Sequence, residues 1–198
     1  MGSRPMEIQI INLEVKSTTV YSALDLYKAL RFWLIENNYV TAKDSDFPEE
    51  YVWESRTQNR GKEFWIWWRP KKQISRGGNS FFRRVLDIDL HGVGIQDVEI
   101  MYQGQKIKAQ KGKFEVLIRV KIEVDYSGGW RSSGIMSQIL PWFFRRLWKR
   151  ELEMHKRDLV LEAYRLQDYV KRYMKMPMLY QPEMPQFIPQ SGYEEEPY

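Results

Sequence analysis

A chain of 198 residues, 43% hydrophobic and 15% aromatic, holds enough material for one domain with a substantial core. It contains no cysteine, which excludes disulfides, thiol nucleophiles and cysteine-bound zinc or iron–sulfur centres. The net charge of +5 is uneven: residues 131–175 carry eleven Lys/Arg against five Asp/Glu, whereas residues 176–198 carry four Glu and no Lys or Arg.

Met6–Val15 reads as a first strand, with Ile8 and Ile10 apolar. Thr18, Thr19 and Ser22 offer helix N-caps, and Asp25 follows Ser22 by three residues. Over Ser22–Asn37 the apolar residues Ala23, Tyr27, Leu30 and Leu34 recur at helical spacing, and Asn37-Asn38 suits the helix end. Thr41–Glu50 reads as a loop. Tyr51–Arg56 and Glu63–Arg69 then form a hairpin about Gln58–Gly61. Phe64, Ile66 and Trp68 share one face of the second strand, Trp65 and Trp67 the other. Rings on both faces predict that both sides are covered or that one is a binding surface.

Pro70–Asn79 reads as a basic loop and Phe81–His91 as a strand, with Gly92 and Gly94 marking a bend or bulge. A short hairpin, Asp97–Tyr102 with Lys106–Ala109, precedes a turn at Lys111-Gly112. The strongest signal follows. Phe114, Val116, Ile118, Val120, Ile122 and Val124 alternate with polar residues, broken only by Leu117, which predicts a long strand with one dry and one wet face. A last helix is predicted from Ser137 or Leu140, with Pro141 in its first turn, to Lys175. Its stripe runs through Leu140, Phe144, Leu147, Trp148, Leu152, His155, Leu159, Ala163, Leu166, Val170 and Tyr173. Residues 176–198 hold five of the nine prolines and Glu194–Glu196, and read as a flexible acidic tail beyond a single domain of residues 1–175.

No catalytic motif emerges. Asp87, Asp89 and His91 alternate on one strand face as metal ligands could, but no fourth ligand is near, so a solvated face is the expectation. Gly92-x-Gly94 lacks the rest of a dinucleotide fingerprint, and Arg76–Asn79 lacks the Lys-Ser/Thr of a phosphate loop. No cofactor, metal or catalytic residue is therefore assigned. The chain has no run of about 18 apolar residues, and its N-terminus lacks the apolar core of a signal peptide. The expected location is cytoplasmic, with peripheral membrane attachment left open.

The element order is strand, helix, several antiparallel strands, then a long helix after the longest strand. It resembles the START-like, or helix-grip, superfamily, which includes polyketide-cyclase-like proteins and lipid carriers. The resemblance implies an α+β fold: a curved antiparallel sheet of about six to seven strands packed on a long C-terminal helix, with a shorter helix after the first strand. It also implies an apolar cavity between the sheet and the last helix. The expected function is non-enzymatic binding of a hydrophobic small molecule, with Ile66, Trp68, Phe82, Val116, Ile118, Leu152, His155 and Leu159 as inner-face candidates, or of a protein partner through the tail. The alternative is a peripheral module that binds nucleic acid or an anionic membrane through Lys71, Lys72, Arg76, Arg145, Arg146, Lys149 and Arg150.

Overall fold

The structure is a computed structural model that describes residues 6–41, 43, 47–57, 61–74, 81–102, 105–129, 133–146 and 149–174. Its elements run β1 (Met6–Tyr21), α1 (Ala23–Glu36), β2 (Glu49–Thr57), β3 (Gly61–Trp68), β4 (Lys71–Gln73), β5 (Phe82–Tyr102), β6 (Gln105–Val124), α2 (Gly134–Arg146) and α3 (Lys149–Tyr173). The fold is α+β, with an open antiparallel sheet in the order β1-β6-β5-β3-β2. The short β4 pairs with Arg83–Val85 of β5, beyond the stretch that β3 covers, so the predicted Pro70–Asn79 loop contains a strand. The expected mobile tail, residues 176–198, lies outside the described residues.

The alternation in β6 settles which face is dry. Phe114, Val116, Ile118, Val120, Ile122 and Val124 are all buried. Their register partners Leu13 and Val15 of β1, and Leu86, Ile88 and Leu90 of β5, are buried with them. Two helices cover this inner face. The stripe of α3 buries Leu152, Leu159, Ala163, Leu166 and Val170, and α3 packs on β1 and β6. From α1, Leu26, Leu30, Trp33 and Leu34 are buried.

Local chemistry sets the ends of α1. The Ser22 hydroxyl accepts from the Asp25 N–H at 3.3 Å. At the other end Asn38 takes a left-handed conformation (φ 58°), the Tyr39 N–H reaches the Leu34 carbonyl at 2.9 Å, and the Asn38 N–H reaches that of Ile35 at 3.0 Å. These two bonds form a Schellman motif, which reverses the chain and stacks Tyr39 against Trp33.

Three sequence boundaries are corrected. β1 continues through Thr18 and Thr19 to Tyr21. The glycines read as breaks at 92–94 and 112 lie inside continuous strands of 21 and 20 residues. Gly94, at φ 63°, forms a bulge that shifts the β5–β6 register between Val93 and Gln96. A Cβ at Gly112 would stand 2.6 Å from Ile95 Cδ1 and 2.9 Å from Ile95 Cα, so this glycine admits the bulged strand rather than turning the chain. The predicted last helix is described as two stretches, α2 and α3, with residues 147 and 148 between them outside the described residues. α2 starts at Gly134, which places Pro141 in its interior rather than its first turn.

Candidate functional site: a groove beneath the first helix

Ser22 turns the chain from β1 into α1 and lays the helix back over the inner face. Aromatic packing anchors it there. Tyr27 and Phe47 both meet the buried Trp68 edge-on, with ring centroids 4.8 Å away. Glu49, at the start of β2, accepts from Trp68 Nε1 at 3.0 Å and from the Tyr27 hydroxyl at 3.3 Å. This one carboxylate ties β2, β3 and α1 together.

Between the first turns of α1 and the sheet lies a groove of about 280 Å³. Its apolar walls include Leu26, Tyr27, Phe64, Ile66, Leu90 and Phe114, and β2 borders it through Val52, Trp53 and Glu54. One part of the lining is polar. Lys62 Nζ donates to Asp97 at 2.5 Å, Gln110 Nε2 reaches the other Asp97 oxygen at 3.4 Å, and Gln110 Oε1 accepts from the Ala23 N–H at 3.0 Å. The Lys62 ammonium holds the Asp97 carboxyl below its usual range. The groove therefore offers an apolar body and a paired, charged polar patch, a combination that can accept an apolar molecule with one polar group.

Of the eight residues expected to line a cavity, Ile66 lines this groove. Trp68, Phe82, Val116, Ile118, Leu152, His155 and Leu159 are brought together in the packed core, none more than 4% exposed. The groove thus lies under α1, whereas the expectation placed it between the sheet and the last helix. The contributions of Leu26, Tyr27, Phe64, Leu90 and Phe114 escaped sequence reasoning because each sits on a stripe that reads as ordinary core.

The expected basic surface divides. Lys71 pairs with Glu123 at 3.4 Å, and Lys72 with the buried Glu162 at 3.1 Å. Glu162 also takes Arg84 at 2.7 Å and the Tyr39 hydroxyl at 3.1 Å, which fastens α3 to β4 and β5. Arg146, Lys149 and Arg150 are exposed. Arg76 and the Arg145 side chain lie outside the described residues.

The outer face differs from its expectation as well. Asp87 and Asp89 are buried rather than solvated. Asp87 meets Lys121 at 2.7 Å, while Asp89 meets Arg69 at 2.7 Å and Arg119 at 2.5 Å. His91 stacks on Trp65, with centroids 3.5 Å apart. Long basic side chains lying over neighbouring strands cover these carboxylates, a cross-strand arrangement invisible in any single strand. No group of three or more potential metal ligands occurs among the described residues, and no described helix is long and apolar enough to cross a membrane.

Comparison with models of known protein families and with curated proteins gives no match to this chain.

Proposed function

We propose that this protein is a non-enzymatic binder of a hydrophobic small molecule, of START-like, helix-grip type, with the ligand held beneath α1. The carrying observation is the groove: about 280 Å³, walled by rings and aliphatic side chains, with its polar groups gathered around Asp97. That volume sits at the lower edge of the roughly 300–1,000 Å³ common for ligand sites. Lys62 and Asp97 neutralise one another, so a neutral hydroxyl or amide head suits the polar patch better than a second charge. In this reading the sheet grips α3 as a rigid scaffold, and α1 with the β2–β3 hairpin forms the adaptable wall.

Isothermal titration with decanol and with an anilinonaphthalene fluorophore tests the reading. The wild type should bind at least one of them. Ile66→Trp, which fills the groove from a partly buried position, should weaken binding by roughly tenfold or more while leaving the melting temperature within a few degrees. Absence of binding to both probes, or equal binding by the variant, would discard the groove as a site.

A second reading rests on α2. Ile135, Met136, Ile139 and Trp142 are 75%, 43%, 36% and 56% exposed, and 135, 139 and 142 fall on one helical face. Exposed Arg146, Lys149 and Arg150 follow. This combination suits an interfacial helix on an anionic bilayer better than a nucleic-acid surface, because the apolar side chains have no phosphate to meet. Sedimentation with phosphatidylserine vesicles, and its loss in Trp142→Glu, distinguishes attachment from ligand binding.

A further inference from the structure

Strand β2 is the last strand on its side of the sheet, and its outer edge pairs with no other strand among the described residues. Its centre is apolar and open: Tyr51, Val52 and Trp53 are 40%, 59% and 40% exposed. Free edges are normally guarded by lysine, proline or a bulge. β2 carries a bulge only at its start, between Glu49 and Tyr51, and it contains no lysine or proline. The opposite edge, β1, carries the exposed lysine that β2 lacks, Lys16, beside Glu7 and Glu14.

We propose that the edge of β2 pairs with β2 of a second copy of this chain, antiparallel, about a two-fold axis at Trp53. The charge order of the strand selects this occupant. Glu49 and Glu50 lie at its start and Arg56 near its end, the Glu50 and Arg56 side chains 61% and 71% exposed; within one copy Arg56 meets Glu54 at 2.7 Å and Glu50 stands 3.8 Å from Arg69, so pairing would exchange or share these partners. Antiparallel apposition about Trp53 sets Arg56 of each copy against the glutamate end of the other. Parallel apposition would align like charges. The same register keeps Tyr51, Trp53 and Ser55 on one face. The cross-strand row Trp53–Trp65–His91 then continues through the axis into its symmetry mate, with the two Trp53 rings adjacent. On the inner face Val52 of one copy lies opposite Glu54 of the other. Both residues border the groove, so the second copy closes its open side. The pairing itself needs no ligand.

Light scattering coupled to gel filtration, over a dilution series of the full chain, reads the result directly. The wild type should run at twice the 24.0 kDa chain mass. Arg56→Glu should weaken the dimer roughly tenfold, since each change acts twice about the axis. Adding Glu50→Arg to it should restore the wild-type dissociation curve. Val52→Lys, at a 59% exposed position, should give monomer with an unchanged circular dichroism spectrum. A wild type that stays at the chain mass at every concentration overturns the proposal. So does a dimer indifferent to both Arg56→Glu and Val52→Lys, and so does failure of the double charge swap to restore pairing.

Discussion

His155 is buried against Phe82, with ring centroids 5.5 Å apart, and neither ring nitrogen has a hydrogen-bond partner among the described residues. Glu151 approaches to 3.7 Å, beyond hydrogen-bond reach. Burial, and then the Arg84 guanidinium, push the imidazole below its ordinary value of 6.5, against a smaller upward pull from Glu151 and Asp158. A histidine whose folded value is depressed takes its proton more readily when unfolded. Stability is therefore full above about pH 6.5 and falls as the pH drops through the window between the unfolded and folded values. His155→Leu should remove that acid sensitivity and, by relieving the unsatisfied ring nitrogens, stabilise the protein by about 1 kcal/mol near neutrality. Urea titrations at about pH 7.5 and about pH 5 check both parts. A variant with the wild-type pH slope would mean that His155 does not titrate on unfolding. At this scale the sequence revealed that His155 lies on an apolar stripe, but not that Asp87 and Asp89 are buried. Their burial depends on Arg69, from the end of β3, and on Arg119 and Lys121, from β6, arriving from two other places in the chain.

Among the elements, α3 and the inner-face period of β6 were legible because each carries its own periodicity, 3.6 in one and 2 in the other. Leu159 is fully buried on the α3 stripe, while Lys156 sits on the wet side paired with Glu153 at 2.8 Å. Leu159→Ala should cost about 2–5 kcal/mol and lower the melting temperature markedly. Lys156→Ala should change stability by no more than about 0.5 kcal/mol. Thermal melts of the two variants, compared directly, measure the asymmetry, and equal small shifts would show that α3 does not dock through this stripe. The strand breaks that sequence reasoning placed at glycines share one cause. A glycine in a strand pattern reads as punctuation, yet Gly94 and Gly112 serve the close crossing of two long strands. The start of the last helical region at Gly134 was missed because the apolar stripe becomes regular only from Leu140.

For the whole molecule, α+β architecture and antiparallel pairing followed from the order of the elements. Sheet order did not, because the first strand pairs with the last: Met6 lies opposite Val124 and Tyr21 opposite Gln110. Nothing local in either segment announces the other. The groove was hidden for the same reason, since its walls come from α1, β2, β3, β5 and β6 and exist only once the sheet has closed over them. The long reach between β1 and β6 also bears on how the protein is made. On the ribosome, β1 emerges well before its partner strand, which follows roughly 100 residues later, on the order of 5–20 s at ordinary elongation rates. Through that interval the apolar sides of Leu13 and Val15 lack Ile118 and Val116, the β6 residues that face them. β1 is thus a stretch of nascent chain that a chaperone would hold until its partner is made, and the birth of β6 is the event that releases it.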